Sequence, residues 1–267
     1  MASVRRPDGA EIAWRVRGEG PLVVPMRFGG MPPWALREFS DELASDHRVL
    51  DYDLRGTGES SRSGPYEIGV DTEDTIAVLD QADGGPAVAV ALGDGAHRAV
   101  RVATERPDLV STVIISGQTP FGRIPAGGFE DGPDALGLSD SVFDGLIQLY
   151  ESDFKAGLRT VMSTADPTLS EDEIRERVEA AAGYCEAEAM TSRLRSWRAD
   201  DARETARTLG DRLWIQAYPG NTWFPIELLD VIRQELPEAR LSKVEDGPIS
   251  RPDVAAAAVR EITACRS

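Results

Sequence analysis

PAVAVALGDGAHRAVRVATERPDLVSTVIISG, running from Pro86 to Gly117, is the stretch that decides the fold. Ala87 to Leu92 is a continuous apolar run, the pattern of a parallel strand covered on both faces. Gly93-Asp94-Gly95 interrupts it, and the residues that follow repeat at helical spacing towards Pro107. Val110 to Ser116 is a second apolar run. The unit reads as strand, sharp turn, helix, strand.

Outward from this unit the same rhythm continues. Glu11 to Val16 and Leu22 to Met26 read as strands around the turn Gly18-Glu19-Gly20, and Arg48 to Asp53 and Leu213 to Ala217 as two more. Helical patterns cover about Trp34 to Ala44 and Thr72 to Gln81. Alternating strands and helices predict an α/β protein with a doubly wound, mostly parallel sheet. Thr119 to Leu209 breaks the alternation. It opens with FGRIPAGGFEDGP and then shows only helical patterns, with Val142, Leu146, Leu149, Phe154, Leu158 and Val161 as an apolar stripe. Ser170 and Glu173 form a capping box for a helix predicted to run towards Met190. The expected organisation is a core over 1–118, a helical lid inserted between late strands over 119–209, and a second core part over 210–267.

The chain has 267 residues and a net charge of -17. An acidic surface repels nucleic acid and anionic membranes, so neither is expected as a partner. No apolar run approaches the roughly 18 residues that span a bilayer. The polar first twenty residues contain no signal-peptide core, and a cytoplasmic protein is expected. Cys185 and Cys265 give neither metal spacing nor a disulfide framework, and no cofactor or metal is expected. Of 29 basic residues only Lys155 and Lys243 are lysine, a bias that suggests GC-rich coding, as in an actinobacterium. A homodimer is left open.

DLRGTGES, Asp53 to Ser60, matches the D-x-R-G-x-G-x-S turn that follows the fourth strand of α/β-hydrolases. ATERPDLVSTVIISG resembles the stretch after that family's nucleophile, and LPEARLSKVEDGPISRPDVAAAAVREI resembles its last strand, histidine loop and last helix. The chain thus resembles the α/β-hydrolase superfamily over nearly its whole length. In that family the turn after the fifth strand is a nucleophile elbow, G-x-S-x-G. Here the five positions are Ala91-Leu92-Gly93-Asp94-Gly95, and the 14 residues from Gly93 to Pro107 place the nucleophile slot at Gly93.

The resemblance implies further slots. The family's acid falls on Asn221, counted back from Pro225. Its histidine falls on Glu245 or Asp246, counted from Pro252. The oxyanion loop reads Met26-Arg27. The two histidines lie elsewhere: His47 is expected at the surface, and His97 as a satisfied, partly buried residue. With every triad role changed, triad hydrolysis is not expected, because the three groups act as a unit.

What remains is a candidate small-molecule site of apolar walls and a few polar groups. Asp94, Glu245, Asn221 and Arg27 are the candidate catalytic residues, with Arg27 suited to an anion or to pairing with Asp94. Met26, Phe28, Met31, Trp34, Gly93, Phe121, Tyr218, Trp223 and Phe224 are the candidate binding residues. The expected function is a non-covalent reaction of a hydrophobic small molecule: cyclisation, elimination or isomerisation. Degenerate α/β-hydrolase-like proteins of this kind occur in bacterial secondary metabolism. The alternatives are a binding protein without catalysis and an epoxide-type hydrolase using Asp94. The 14-residue spacing and the missing histidine count against the latter.

Overall fold

Successive residues of each central strand face opposite sides of the sheet, and both sides are apolar. Val23, Val49, Val88, Val90 and Ile114 point one way, and Val24, Leu50, Ala89, Ala91 and Ile115 the other. That is why these strands read as unbroken apolar runs. The computed structural model describes residues 1–83, 85–121, 140–165, 168–221 and 224–264. Its strands are β1 (Ala2–Arg5), β2 (Glu11–Arg17), β3 (Leu22–Met26), β4 (Arg48–Tyr52), β5 (Ala87–Ala91), β6 (Val110–Ser116), β7 (Leu213–Ala217) and β8 (Arg240–Lys243). They form one sheet in the order β1-β2-β4-β3-β5-β6-β7-β8. The pairings of β2 with β1 and with β4 are antiparallel, and the others are parallel.

Helices cover both faces. Phe39 and Leu43 of α1 (Arg37–Leu43) join Ala256 and Val259 of α10 (Pro252–Ala264) on one. The other face receives α2 (Ile68–Ala82), α3 (Gly95–Glu105), α8 (Arg203–Arg207) and α9 (Leu228–Glu235) through Val78, Val100, Ala206 and Ile232. Each large apolar side chain buried this way contributes about 1.5–3 kcal/mol. The predicted helix from Trp34 begins instead as a 3-10 turn at Pro33–Leu36, with Pro32 and Pro33 at its entrance.

Between β6 and β7 lie α4 (Asp140–Ser152), α5 (Phe154–Ala165), α6 (Glu171–Tyr184) and α7 (Ala187–Ala199), followed by α8. They share an apolar cluster of their own, including Phe143, Ile147, Leu158, Val178 and Trp197. The predicted stripe was one residue out of phase in α4: Val142 is 55% exposed, while Phe143 and Ile147 are buried. The capping box forms, with Ser170 Oγ accepting from Glu173 N and Glu173 Oε2 from Ser170 N. Its helix does not reach Met190. It stops at Tyr184, where the Asp53–Ser60 turn docks: Gly58 N donates to Tyr184 O at 2.8 Å and Glu186 N to Gly56 O at 3.1 Å.

Polar contacts join this helical layer to the sheet layer. Arg193 of α7 forks onto Asp71 of α2 at 2.6 and 3.0 Å. His97 Nδ1 of α3 lies 2.7 Å from Asp200 Oδ2, just past α7, and Arg101 binds the same carboxylate. Tyr184 of α6 donates to Asp53 at 2.8 Å. Among the described residues no helix is long and apolar enough to cross a membrane. His47, expected at the surface, is 5% exposed; its ring meets Asp46 and Thr263 of α10, which covers it.

Candidate functional site

The turn between β5 and α3 keeps a tight elbow without a side chain at its apex. Gly93 has φ +58, a left-handed conformation that glycine adopts without strain. Gly95 must also be glycine, because a Cβ there would fall 1.9 Å from Met26 O. Leu92 N donates to the same Met26 O at 3.0 Å, which holds the elbow against the end of β3. A Cβ at Gly93 would stand 3.0 Å from Phe28 Cβ, so Phe28 leans over the slot.

Asp94 is fully buried, and one of its two carboxylate oxygens is hydrogen-bonded. Oδ1 accepts from Gly29 N at 2.9 Å, and Oδ2 stands 2.9 Å from Arg98 Nη1 one turn along α3. Burial pushes the Asp94 carboxyl above the usual carboxylate range, and the Arg98 guanidinium pulls against it. Arg98 in turn donates to Arg27 O. Asp94 therefore braces the loop after β3.

Arg27 does not pair with Asp94. Its guanidinium turns towards β4, because β3 and β4 are neighbours and β4 ends in acidic residues. It donates to Tyr52 O at 2.6 Å and to Tyr184 OH at 3.2 Å, and stands 3.4 Å from Asp51 and 3.5 Å from Asp53. The side chain is spent on the fold and is not free to hold a substrate anion.

The apolar candidates divide. Met26, Phe121 and Phe224 are wholly buried in the core beneath the strand ends, where tight packing leaves them no surface to offer. Phe28 is half-buried and packs on Trp197, with ring centroids 5.9 Å apart. Phe28 and Met31 border a cavity of about 10 Å³, room for a single water. Trp34 is 37% exposed and lines a different groove with Arg15 and Arg17 of β2. Trp223 lies outside the described residues.

At the other slots, Asn221 works as a loop staple. Its Nδ2 donates to Gly117 O at 2.9 Å and its Oδ1 accepts from Phe224 N at 3.2 Å. Tyr218 follows β7 directly. Its ring fills the space that Cβ atoms on Gly117 and Gly247 would need, its hydroxyl lying 2.7 and 2.8 Å from those positions. Burial pushes the Tyr218 phenol up to about 12, and the charge of Asp246 adds to the shift. Asp246 Oδ1 accepts from Gly247 N at 2.7 Å, while Glu245 is exposed. Of the two carboxylates, Asp246 is thus the one whose charge reaches the Tyr218 phenol.

One contact escaped the sequence, whereas the Asp94 peptide as an oxyanion donor follows from the resemblance. The His97–Asp200 pair joins residues 103 positions apart, and no local spacing announces it. The peptide N–H of Asp94, next to Gly93 in sequence, and that of Phe28, whose side chain stands over Gly93, donate no hydrogen bond among the described residues. Elbow and loop thus keep two unspent donors next to a position with no nucleophile. No group of three or more metal-ligating side chains occurs among the described residues.

No family model matches the chain. It is 26% identical over 266 residues to the proline iminopeptidase PfmaB of Pestalotiopsis fici, covering 90% of this chain and 89% of that one. Solved structures with the same architecture include a bromoperoxidase from Bacillus anthracis, at TM-score 0.80 and 18% identity over 99% of this chain and 98% of that one. An enol-lactonase from Burkholderia xenovorans superposes at TM-score 0.77 and 20% identity, covering 98% of each chain. With its parallel sheet order, its elbow at Gly93 and these likenesses, the chain has the α/β-hydrolase fold.

Proposed function

We propose that the chain is an enzyme of this fold that acts on a hydrophobic small molecule without a covalent intermediate. The observation that carries the reading is the pair of unspent N–H groups on Phe28 and Asp94, set beside a glycine in the nucleophile slot. Such donors stabilise an oxyanion however it forms, as an enolate as readily as a tetrahedral adduct. With nothing at residue 93 to form an ester, proton transfer next to a carbonyl fits the groups present. Tyr218, whose phenol stays protonated at neutral pH, donates, and Asp246 accepts. Cyclisation, elimination and isomerisation belong to this class, because orientation alone supplies several kcal/mol of their barriers, up to about 7–11 kcal/mol. The helices between β6 and β7 act as the lid that excludes water. A step in bacterial secondary metabolism is the setting we infer.

The names of the relatives favour hydrolysis instead, which here would need water as the direct nucleophile with Asp246 as its base. A binding role without catalysis is favoured by Phe28, which leans over Gly93 and narrows the slot. One experiment separates the readings. Purified protein is treated with a fluorophosphonate probe, and separately with enolisable aryl ketones in deuterated water followed by NMR. The expected result is no labelling, together with exchange of the α-hydrogens above buffer that drops at least tenfold in Tyr218→Phe. Covalent labelling overturns the non-covalent mechanism. Ketone binding without exchange leaves the binding role.

A further inference from the structure

The indole of Trp34, which is 37% exposed, is not used in the catalytic reading. It lines a groove of about 340 Å³ with Arg15, Arg17 and Arg37. This cationic groove is set into a chain of net charge -17. It lies at β2, and β4 and β3 separate β2 from β5; at about 4.8 Å per strand the groove is roughly 14 Å from the elbow strand.

The charges in the groove are unequally matched. Asp51, opposite Arg15 in the β2–β4 register, stands 3.8 Å from Arg15, 3.6 Å from Arg17 and 3.4 Å from the buried Arg27. Arg17 also pairs with Asp41, and Arg27 lies 3.5 Å from Asp53. Arg37 meets no carboxylate among the described residues. Of the three arginines that line the groove, Arg15 and Arg17 meet carboxylates, which leaves one positive charge on Arg37, the arginine nearest Trp34 in sequence. The indole is held on a stiff base, because Pro32 and Pro33 precede it and Arg37 N donates to Trp34 O.

We infer that this groove binds a small aromatic carboxylate. The guanidinium of Arg37 takes the carboxylate through its planar fork, and the flat body of the ligand lies against the exposed indole. A single surplus charge matches a monoanion better than a dianion, and the fixed indole reduces the ordering cost of binding.

The test uses 2-naphthoate as probe in isothermal titration, with 2-naphthol supplying the ring without the charge and acetate the charge without the ring. Arg37→Ala and Trp34→Ala both alter surface positions, and unchanged circular dichroism and melting establish that the fold is intact. Expected are saturable binding of one naphthoate, at least tenfold weaker binding of naphthol and acetate, and at least tenfold loss in each variant. Binding that ignores both variants would put the probe elsewhere, at the Gly93 elbow included, and overturn the inference. Absence of binding at millimolar probe, or equal binding of inorganic phosphate, would overturn it too. Because neither Trp34 nor Arg37 serves the proposed catalysis, failure here leaves the catalytic reading untouched.

Discussion

Gly29 donates its peptide N–H to Asp94 Oδ1 at 2.9 Å, across 65 residues of chain. The bond fastens the loop after β3 to the first turn of the elbow helix, and so sets the Phe28 N–H relative to the Asp94 N–H. Asp94 contributes twice, with its carboxylate as a brace and its peptide as a donor. Removing the side chain therefore tests architecture first.

Asp94→Ala leaves Arg98 buried without its counter-ion and Gly29 N without an acceptor. Breaking a buried pair by removing one partner costs about 3–5 kcal/mol. Urea unfolding should show a loss of that size. A variant as stable as the parent would mean that the carboxylate is not needed as a brace.

Asn221→Asp restores the residue type of the resembled family's acid slot, yet it should destabilise. A carboxylate cannot donate to Gly117 O, and the lost bond between half-buried groups costs about 1–3 kcal/mol. Thermal melting reads this directly, and a rise in melting temperature would contradict the staple role of Asn221.

Gly93→Ser should create no esterase. The new side chain would occupy a left-handed position at φ +58, against Phe28, at a cost of about 1–2 kcal/mol. Serine needs a base, and His97, the imidazole on the elbow helix, is tied through Nδ1 to Asp200. p-Nitrophenyl acetate should give neither burst nor turnover above buffer, in this variant or in the parent. A burst in the variant alone would show that a base has been overlooked.

Stability in acid should depend on Asp200. Its burial acts to raise its carboxyl, but the bonds from His97 and Arg101 outweigh it and hold the group below its ordinary value of 3.8. A depressed carboxylate contributes stability that is complete above 3.8 and is lost as the pH falls through its lower folded value. Asp200→Asn should therefore be less stable than the parent at neutral pH, and the gap should close in acid as the pH falls below 3.8 and through the lowered folded value. Parallel stability curves over that range would contradict the assignment.

The sheet was legible because each central strand must be apolar on both faces, so Ala87 to Ala91 and Val110 to Ser116 declared themselves. The elbow was legible because Gly93 and Gly95 answer to backbone geometry, at φ +58 and against Met26 O. Side-chain direction was not. Arg27 stands in the expected loop, but its partners Asp51 and Asp53 come from a neighbouring strand and the turn that follows it, and strand order is not written in local spacing. Trp34 illustrates the same limit: three residues after Met31 in sequence, it lines a different recess. The phase error in α4 arose because Val142 and Phe143 are both apolar, and only packing decides which of two adjacent residues turns inward.

Arg193 on Asp71, Asp200 on His97 and Tyr184 on Asp53 join the helices after β6 to the sheet layer through directional bonds. Greasy surfaces can slide past one another by a fraction of a turn, whereas a guanidinium forked onto a carboxylate has one seat. The helical layer is keyed to its place. Grafting the corresponding helices of another protein onto this sheet would demand a matching cation over Asp71 and a matching acid beside His97, however well the shapes agreed. Charge register, more than contour, sets which helical layers this sheet can carry.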